Sequence, residues 1–445
     1  MRTPMIASLF GPTLAVGLLA GWTVTGWAAP PPGAGDLDAS FGIGGMVTTD
    51  FPGSDVPQAL AIQGDGRIVV AGQSCSGSCD FAMARYNPDG TLDATFGAGG
   101  KVTTDFGATY DQAQALALQD DGKLVLAGFR CVGGSTGCPL GAAIDFALAR
   151  YNADGTLDAT FGIGGKVTTD FSGGSDDRGY GVAVQADGDI VAAGRTCSGS
   201  TCDFALARYD GSGNLDVTFG VGGKVTTDFA GFIDEAFAVV LQPLDGKIVA
   251  AGGSGGNFAL ARYNTNGSLD GGFGTGGKVT TDFATSSDTA FALALQADGK
   301  IVAAGRAQEP VSQGVDVQFA VARYDADGSL DTGFGTGGTV ITGFAAHSFD
   351  VGRNVAVQAD GKLVVAGFTQ RQQKDPDFAV ARYATDGSLD NGFGKKGKVT
   401  TDFANGNDGA AAVAIQGDGN IVAAGSSQPL QPLAPPDFAV ARYLP

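Results

Sequence analysis

Short runs of alternating large and small side chains return seven times along the chain after its first thirty-odd residues. One copy reads GKVTTDF, AQALALQ, KLVLAG, a connection of variable length, and DFALARY. Each run is rich in Val, Leu, Thr or aromatic residues and is bounded by Gly, Asp or Asn, as strands are. The DG pair between the second and third runs predicts a tight hairpin. Four short strands in each copy, repeated about every 55 to 65 residues, predict an all-β repeat protein.

The side chains within these strands predict how the sheets pack. Phe146 and Leu148 alternate with Ala147 and Ala149, so large apolar residues alternate with small apolar ones. A sheet with one solvated face would alternate apolar with polar residues instead. Both faces are therefore expected to be buried against neighbouring sheets stacked around an axis, which predicts a β-propeller.

The two ends of the chain complement each other. The first copy begins at LDASFGIGGMVTTDF without a preceding DFALARY, and the last copy stops at Tyr443 without a following LD..FG. Residues 37–51 are thus expected to add an outer strand to the sheet of residues 410–443. This closure would hide sheet edges that otherwise promote aggregation. The predicted fold is a seven-bladed β-propeller with four antiparallel strands per blade, closed by the N-terminal strand joining the C-terminal blade.

Three sequence patterns carry a family resemblance: LDxxFGxGGKVTTDF, AVAxQxDGKIVxAG and DFAxARYNxDG. They resemble the delta-60 repeat, a bacterial repeat family, over nearly all of residues 36–443. The resemblance implies a propeller, and the blade pattern is also similar to WD-like repeats without their Trp-Asp ending. Neither resemblance implies catalytic residues. Thr339 and Gly343 depart from the usual Lys and Asp of the pattern.

The N-terminal residues differ in kind from the repeats. Arg2 precedes an apolar run that extends to about Trp27 and is followed by Ala28 and Ala29, the layout of a secretory signal peptide. A retained membrane anchor is the alternative. The predicted organisation is a signal peptide at 1–29, a short linker at 30–35 and a propeller at 36–445. We expect an exported monomer that is periplasmic, at the cell surface or extracellular, without stable membrane insertion after cleavage.

The charge excludes one class of partner. The chain has 46 acidic and 27 basic residues and a net charge of −19. Nucleic-acid affinity depends on neutralising phosphates with Lys and Arg, so no nucleic-acid partner is expected.

Cysteine usage agrees with export. The six cysteines form three close pairs at one position of three successive copies. Zinc sites use similar spacings, but the chain has a single His and no CxxC. Disulfides, which persist in oxidising compartments, are the better interpretation. The predicted pairs are Cys75–Cys79, Cys131–Cys138 and Cys197–Cys202.

Two charged positions recur in every copy. An Asp stands eight residues before the Gln of the inner strand, and an Arg stands in each ARY. Seven-fold closure would place the acids around one mouth of the channel, where they either cap backbone N–H groups or bind cations. The Arg needs a carboxylate when buried, with the Asp of LD or of TTDF as candidates. The acids are Asp55, Asp111, Asp177, Asp234, Asp288, Asp350 and Asp408, and the structural arginines are Arg85, Arg150, Arg208, Arg262, Arg323, Arg382 and Arg442.

Other candidate chemistry is sparse. His347, the single His, is expected in a solvated link, which leaves little room for Ser-His catalysis. The turn containing Asn152, Asp154 and Asp158 resembles half of a calcium loop but lacks enough oxygen ligands. We therefore predict no catalytic residues, no resident metal and no cofactor, with calcium as the one cation that the acids would suit.

Two functions follow from these features. The first is an exported, non-enzymatic scaffold that presents a variable loop face to a protein, glycan or other ligand. The second is a carboxylate- or metal-dependent hydrolase, similar to lactonase propellers, that acts at the axis. An enzyme is expected to show unlike polar residues clustered at the channel, and a scaffold a repetitive lining.

Overall fold

The computed structural model describes residues 32–107, 110–132, 138, 142–230, 233–283, 287–311, 314–372, 374–403, 405–429 and 434–445. The predicted signal peptide lies outside these residues. The contacts divide the chain into two units, Met1–Pro32 and Gly33–Pro445, and the repeats make up the second. The described residues contain strands and turns, and none of them forms a helix long and apolar enough to cross a membrane.

The runs that alternate in the sequence are strands, and the DG pairs are the turns between them. The strands are β1 (Met46–Thr49), β2 (Ser54–Ile62), β3 (Ile68–Ser76), β4 (Ser78–Tyr86), β5 (Lys101–Thr104), β6 (Tyr110–Leu118), β7 (Leu124–Val132), β8 (Ala143–Tyr151), β9 (Lys166–Thr169), β10 (Asp176–Val184), β11 (Ile190–Ser198), β12 (Thr201–Tyr209), β13 (Lys224–Thr227), β14 (Asp234–Leu241), β15 (Ile248–Ser254), β16 (Asn257–Tyr263), β17 (Lys278–Thr281), β18 (Ser287–Leu295), β19 (Ile301–Val311), β20 (Gly314–Tyr324), β21 (Thr339–Thr342), β22 (Phe349–Val357), β23 (Leu363–Gln370), β24 (Asp377–Tyr383), β25 (Lys398–Thr401), β26 (Asn407–Ile415), β27 (Ile421–Gln428) and β28 (Asp437–Tyr443).

Antiparallel pairing joins these strands in sets of four. In the described residues β2–β5, β6–β9, β10–β13, β14–β17, β18–β21 and β22–β25 each pair in sequence order, and we number these sets groups 1 to 6. Group 7 takes three strands, β26–β28, from the end of the chain and its outer strand, β1, from the start. The prediction that residues 37–51 supply this strand is thus met at the level of strand pairing.

Group 7 joins the two ends of the chain and also contacts group 1. Within group 7, Val47 pairs with Val440 in the β1–β28 register, and Arg442 forms an ion pair with Asp38 at 2.8 Å. The rings of Phe51 and Phe438 lie 5.0 Å apart. One hydrophobic cluster combines residues of β3 and β4 with residues of β27 and β28. The same kinds of contact join each pair of consecutive groups.

The prediction that both faces of a strand are buried is confirmed for two of the four strands in each group. The second and third strands of each group are buried on both faces, as Leu148 and Ala149 in β8 show. The first strand of each group is the innermost one. The second half of this strand is only partly buried, as in β6. For these innermost strands the prediction of two buried faces is wrong, because one side borders an open central space.

Each innermost strand contains a bulge that the sequence pattern did not predict. In β6 the register with β7 shifts between Ala113 and Ala115, so Gln114 has no direct partner. Gly128 of β7 lies opposite the bulge, and a Cβ atom on Gly128 would lie 1.9 Å from the carbonyl oxygen of Gln112. The glycine of each AG pair is therefore required by the close approach of two backbones. All seven first strands carry this bulge.

Two of the three predicted disulfides are formed, Cys75–Cys79 and Cys197–Cys202. Their cysteines face each other in the strand register of their hairpins. The third predicted pair is not a disulfide, although a hydrogen bond joins the two cysteine side chains. Cys131 faces Ile144 in the register, and Cys138 lies in the longer connection, where it packs beside Cys131 as a thiol. That connection is mostly outside the described residues.

The shared geometry of the Arg–Asp pairs generates a prediction. Asp38 and Asp93 pair with Arg442 and Arg85 at equivalent positions of the repeat, but Asp38 lies near the chain start. We expect Asp38→Ala and Asp93→Ala to lower the free energy of unfolding by a similar amount, about 3 kcal/mol each, because each leaves a buried Arg without its carboxylate. Urea unfolding of both variants measures this. Asp36→Ala, at an exposed neighbouring Asp, is the control and should change little. A near-zero effect of Asp38→Ala beside a large effect of Asp93→Ala would show that the terminal segment does not stabilise the fold.

Candidate functional site

The innermost strands surround a central cavity of about 230 Å³. It is lined by residues from the first strand of every group, and the bulged residues project into it. These are Gln58, Gln114, Tyr180, Phe237, Phe291, Arg353 and Ala411. The seven positions are equivalent in the repeat, yet they carry two amides, three aromatic rings, one cation and one methyl group. The lining is therefore asymmetric.

One side of the cavity is aromatic. The rings of Tyr180 and Phe237 have centroids 5.0 Å apart, and those of Phe237 and Phe291 lie 5.3 Å apart edge to face. Such tilted pairs are a favourable arrangement of aromatic rings. Burial, the largest cause, raises the pKa of Tyr180 to about 12, so its hydroxyl is a neutral hydrogen-bond donor at neutral pH.

Two guanidinium groups lie against this aromatic side. The Cζ atom of Arg353 is 4.8 Å from the centroid of Phe291 and 5.8 Å from that of Phe368. The Cζ atom of Arg306 is 5.9 Å from the same Phe291 ring. Burial, and next the charge of Arg306, lower the pKa of Arg353. Stacking on aromatic faces stabilises both cations, while their mutual repulsion opposes the arrangement.

The other charged groups near this side are paired. Arg195 forms ion pairs with Asp176, at 3.0 Å, and with Glu235. Arg178 also pairs with Asp176, at 2.7 Å. Among the described residues, Arg306 and Arg353 have no carboxylate within ion-pair distance. A protein with a net charge of −19 thus places two arginines together without counter-charges.

The opposite side of the cavity carries amides. Gln58 and Gln114 line it. A further amide, Asn354, lies next to Arg353 in β22, and its side-chain oxygen accepts a hydrogen bond from the Val413 N–H at 3.3 Å. In the described part of the lining, Tyr180 and Arg353 are the titratable side chains, and no carboxylate, His or Cys is present. The cavity can therefore stack, donate hydrogen bonds and attract an anion, but it offers no general base of ordinary pKa.

The seven predicted acids lie elsewhere. Each is at the start of an innermost strand, fully or almost fully buried, and none lines the central cavity. In each case the Oδ2 atom accepts the N–H of the Phe in the preceding TTDF or TGF segment, at 2.6–2.9 Å. The pairs are Phe51–Asp55, Phe106–Asp111, Phe171–Asp177, Phe229–Asp234, Phe283–Asp288, Phe344–Asp350 and Phe403–Asp408. These hydrogen bonds are the capping contacts that the sequence offered as one of two roles.

Burial dominates the electrostatics of these acids. It raises the pKa of Asp55 and of Asp111 to about 6, although the hydrogen bonds that they accept act in the opposite direction. Burial also raises the pKa of Asp177, Asp234 and Asp350. Each of these five acids thus stabilises a link through a hydrogen bond while its charge is costly in the folded state.

The structural arginines pair with the Asp of LD rather than with that of TTDF. The Arg150 Nε donates to Asp158 at 2.8 Å, its Nη1 donates to the Gly211 carbonyl of the next group at 2.7 Å, and its Cζ lies 4.6 Å from the Phe161 centroid. Equivalent carboxylate partners of the other six are Asp93, Asp216, Asp270, Asp331, Asp390 and Asp38.

The remaining sequence candidates have structural partners. His347 is exposed in a link, with its Nδ1 atom 3.3 Å from Asp316. Asp154 accepts hydrogen bonds from the backbone and hydroxyl of Thr156 within its own turn. Asp158 is held by Thr160 and Arg150, which together overcome the effect of burial and lower its pKa to about 2. The half calcium loop is accounted for by turn geometry and the arginine contact.

Sequence reasoning missed the cavity residues. A signal was present, because the third residue after each buried Asp varies among Gln, Tyr, Phe, Arg and Ala while its neighbours stay small. The bulge decides which face of the strand this side chain occupies. The sequence pattern alone therefore does not show that it faces the central cavity.

Buried Asp177 predicts a pH dependence. Its pKa is raised above the unfolded value of about 3.9, so the folded state holds the proton more tightly. Its contribution to stability therefore falls as pH rises from about 4 through the folded pKa. Asp177→Asn keeps an oxygen for the Phe171 N–H without the charge, and its unfolding free energy should rise relative to the parent between pH 4 and 7. Urea titrations in chelator measure this. Asp154→Asn is the control, because its lowered pKa predicts a flat difference from pH 5 to 7. A flat difference for Asp177→Asn would contradict the prediction.

Comparison with solved structures gives matches of low sequence identity. A protein of unknown function from Dyadobacter fermentans has 10% identity and a TM-score of 0.46, covering 90% of this chain and 100% of that one. Sqt1 of Chaetomium thermophilum, solved with the N-terminus of ribosomal protein L10, has 13% identity and a TM-score of 0.46, covering 89% and 98%. An α-L-arabinanase of Penicillium chrysogenum has 10% identity and a TM-score of 0.45, covering 89% and 97%.

Comparison with sequence families is more direct. No curated protein matches the chain. Six segments, 63–96, 119–161, 185–219, 244–273, 296–334 and 358–393, match the family described as a domain of unknown function (DUF5122) beta-propeller. The narrower resemblance to the delta-60 repeat stays a prediction. The chain has the β-propeller fold, and six of its repeats match this β-propeller repeat family.

Proposed function

We propose that the protein is an exported, non-enzymatic binding protein, built as a closed seven-bladed propeller, that holds an acidic saccharide in its central cavity. The observation that carries this proposal is the pair Arg306 and Arg353, two guanidinium groups without carboxylate partners that lie over one Phe291 ring. The connections after the second strands, which vary in length in the sequence, would contact the rest of the ligand or a partner.

Contacts between groups 7 and 1 support the closed ring. The Gly42 N–H donates to the Asp89 carbonyl at 2.8 Å, as the Gly97 N–H does to Asp154 in the interior of the chain. Arg442 donates to the Pro88 carbonyl, across 354 residues, in the manner of Arg150 and Gly211. The contact between the ends is thus of the same kind as every contact between consecutive groups.

The cavity chemistry supports a saccharide with a negative group. Sugar rings present C–H faces that pack on aromatic side chains, and Phe237, Phe291 and Tyr180 provide such faces. Gln58 and Gln114 across the cavity offer donors and acceptors for hydroxyl groups. A guanidinium binds a carboxylate or sulfate through two parallel hydrogen bonds. A volume of about 230 Å³ suits one or two sugar units.

The absence of carboxylates from the described lining supports binding over hydrolysis. Glycoside hydrolysis ordinarily needs two carboxyl groups across the scissile bond, and a metal-dependent hydrolase needs oxygen or nitrogen ligands with an open position. The lining supplies a Tyr and an Arg instead. The asymmetry of the lining is the outcome that the sequence predicts for an enzyme rather than for a scaffold, and we depart from that expectation because the polar members of the lining are amides, a Tyr and an Arg.

Export is supported by two independent features. The chain begins with the signal-peptide pattern, and two cysteine pairs are at bonding distance in hairpins of the repeat unit. Disulfides persist in oxidising compartments.

Titration calorimetry of residues 30–445 with tri-galacturonate tests the proposal. We expect binding that weakens with salt, and a loss of at least roughly ten-fold in affinity for Arg353→Gln or Arg306→Gln, since a charged hydrogen bond contributes about 1.5 kcal/mol or more. Arg67→Gln removes a cation from a distant hairpin and should leave the affinity unchanged. The neutral galactose trimer should bind much more weakly.

Two outcomes would contradict the proposal. Equal affinity of the parent and Arg353→Gln for the acidic trimer would exclude the cavity as its site. Steady release of shorter or unsaturated sugars during incubation, followed by chromatography, would show an enzyme.

A further inference from the structure

Among the described residues, four clusters of three aspartates, which we call the acid triads, lie away from the central cavity. Each triad combines three residues. They are the Asp that follows an outer strand, the Asp of the DF pair in a third strand, and the buried Asp of the next group's first strand. The triads are Asp50, Asp55 and Asp437; Asp80, Asp105 and Asp111; Asp203, Asp228 and Asp234; and Asp377, Asp402 and Asp408.

The triads have a common geometry. In each, one oxygen from every carboxylate lies within 4.8 Å of the other two. A point therefore exists at most about 2.8 Å from all three, a spacing that the 2.3–2.6 Å bonds of calcium can meet with a small adjustment. One carboxylate is buried, one half-buried and one exposed, so an ion could enter from solvent.

An unpartnered buried atom belongs to each triad. Asp408 is fully buried, and its Oδ2 atom accepts the Phe403 N–H at 2.7 Å. Its Oδ1 atom is also buried and has no hydrogen-bond partner among the described residues. The equivalent atoms of Asp55, Asp111 and Asp234 are in the same condition, as are those of Asp177 and Asp350 in two repeats without a triad. A triad is distinguished by the two further carboxylates close to the buried one. A buried carboxylate oxygen without a donor is costly, and a cation shared with two nearby carboxylates would satisfy it.

The surrounding charges indicate which triad should bind a cation most tightly. Lys101, Lys166 and Lys278 each place an ammonium group on the backbone carbonyl of the exposed Asp in three of them, at 2.9 Å. In the triad of Asp377, Asp402 and Asp408, the position of this Lys in the next copy is occupied by Met46. Arg371 and Asp375, of opposite charge, both act on Asp377. In this triad, therefore, the repeat places no Lys ammonium group nearby to repel a bound cation.

The other three repeats show what removes a triad. Asp145 is held by Arg130 at 3.1 Å. Asn257 replaces one carboxylate beside Asp282, and Gln318 and Gly343 replace two beside Asp350. The chain thus contains its own controls at equivalent positions.

We propose that the acid triads are calcium sites, each joining strands of two consecutive groups, with the triad of Asp377, Asp402 and Asp408 the tightest. Three carboxylates supply half of the six to eight oxygens that calcium takes, and water completes the shell. The Asp50, Asp55 and Asp437 site would fasten the first strand of group 1 to the two strands where the chain ends meet. This inference does not depend on the ligand of the central cavity.

Chelator-treated residues 30–445, titrated with CaCl₂, provide the test. Native mass spectrometry should count up to four bound calcium ions, and the thermal midpoint should rise by a few degrees and return with EGTA. Asp402→Asn should remove the tightest ion. Asp282→Asn, the equivalent change in a repeat without a triad, should leave the count unchanged. Asp402 is exposed, so its variant is expected to fold, and circular dichroism checks this.

Three outcomes would overturn the proposal. One is no bound ion at millimolar calcium. A second is an equal loss in Asp402→Asn and Asp282→Asn, which would indicate general attraction of calcium to an acidic surface. The third is an equal response to MgCl₂, because magnesium demands near-ideal octahedral geometry and gives up its water reluctantly, so it usually keeps several waters.

Discussion

The fold depends on one buried arginine contact that recurs in every group. The Arg of ARY is held by the Asp of LD, lies over the Phe of FG, and in six of the seven described cases donates to a carbonyl in a turn of the next group. The Arg side chain thus holds the LD segment of its own group in place and also binds a turn of the next group. Lys could not replace it, because an ammonium group lacks the flat, multi-donor shape that this contact uses. Repetition of the contact makes the packing of consecutive groups uniform.

Uniform packing separates residues that maintain the fold from residues free to vary. Asp111, Arg150 and Tyr151 occupy positions that every repeat fills with the same residue type. The bulged position is different, because its side chain enters the central cavity and contacts no repeated partner. Tyr180, Phe237, Phe291 and Arg353 could therefore diverge without disturbing the strands. The asymmetry on which the proposed binding site rests follows from this freedom.

Much of the fold was predictable from periodicity. The spacing of LD, TTDF, DG and ARY placed the strands, the complementary ends placed β1 beside β28, and the need of a buried Arg for a carboxylate limited its partners. The cavity was not predictable, because the bulge at Gln114 depends on contact between two backbones opposite Gly128. The Cys131–Cys138 disulfide is absent because the strand register places Ile144 opposite Cys131, whereas Cys138 lies in the lengthened connection. The triads required three distant segments to meet, which no local pattern shows.

The central structural claim is that the two ends of the chain form one continuous part of the ring. Amide hydrogen exchange of Val47 and Thr48, measured by NMR or mass spectrometry, tests it most directly, since both residues pair with β28. We predict that these amides exchange as slowly as those of the equivalent β5 residues Val102 and Thr103, through global unfolding. Exchange of the β1 amides many times faster than those of β5, with β28 equally unprotected, would contradict the account.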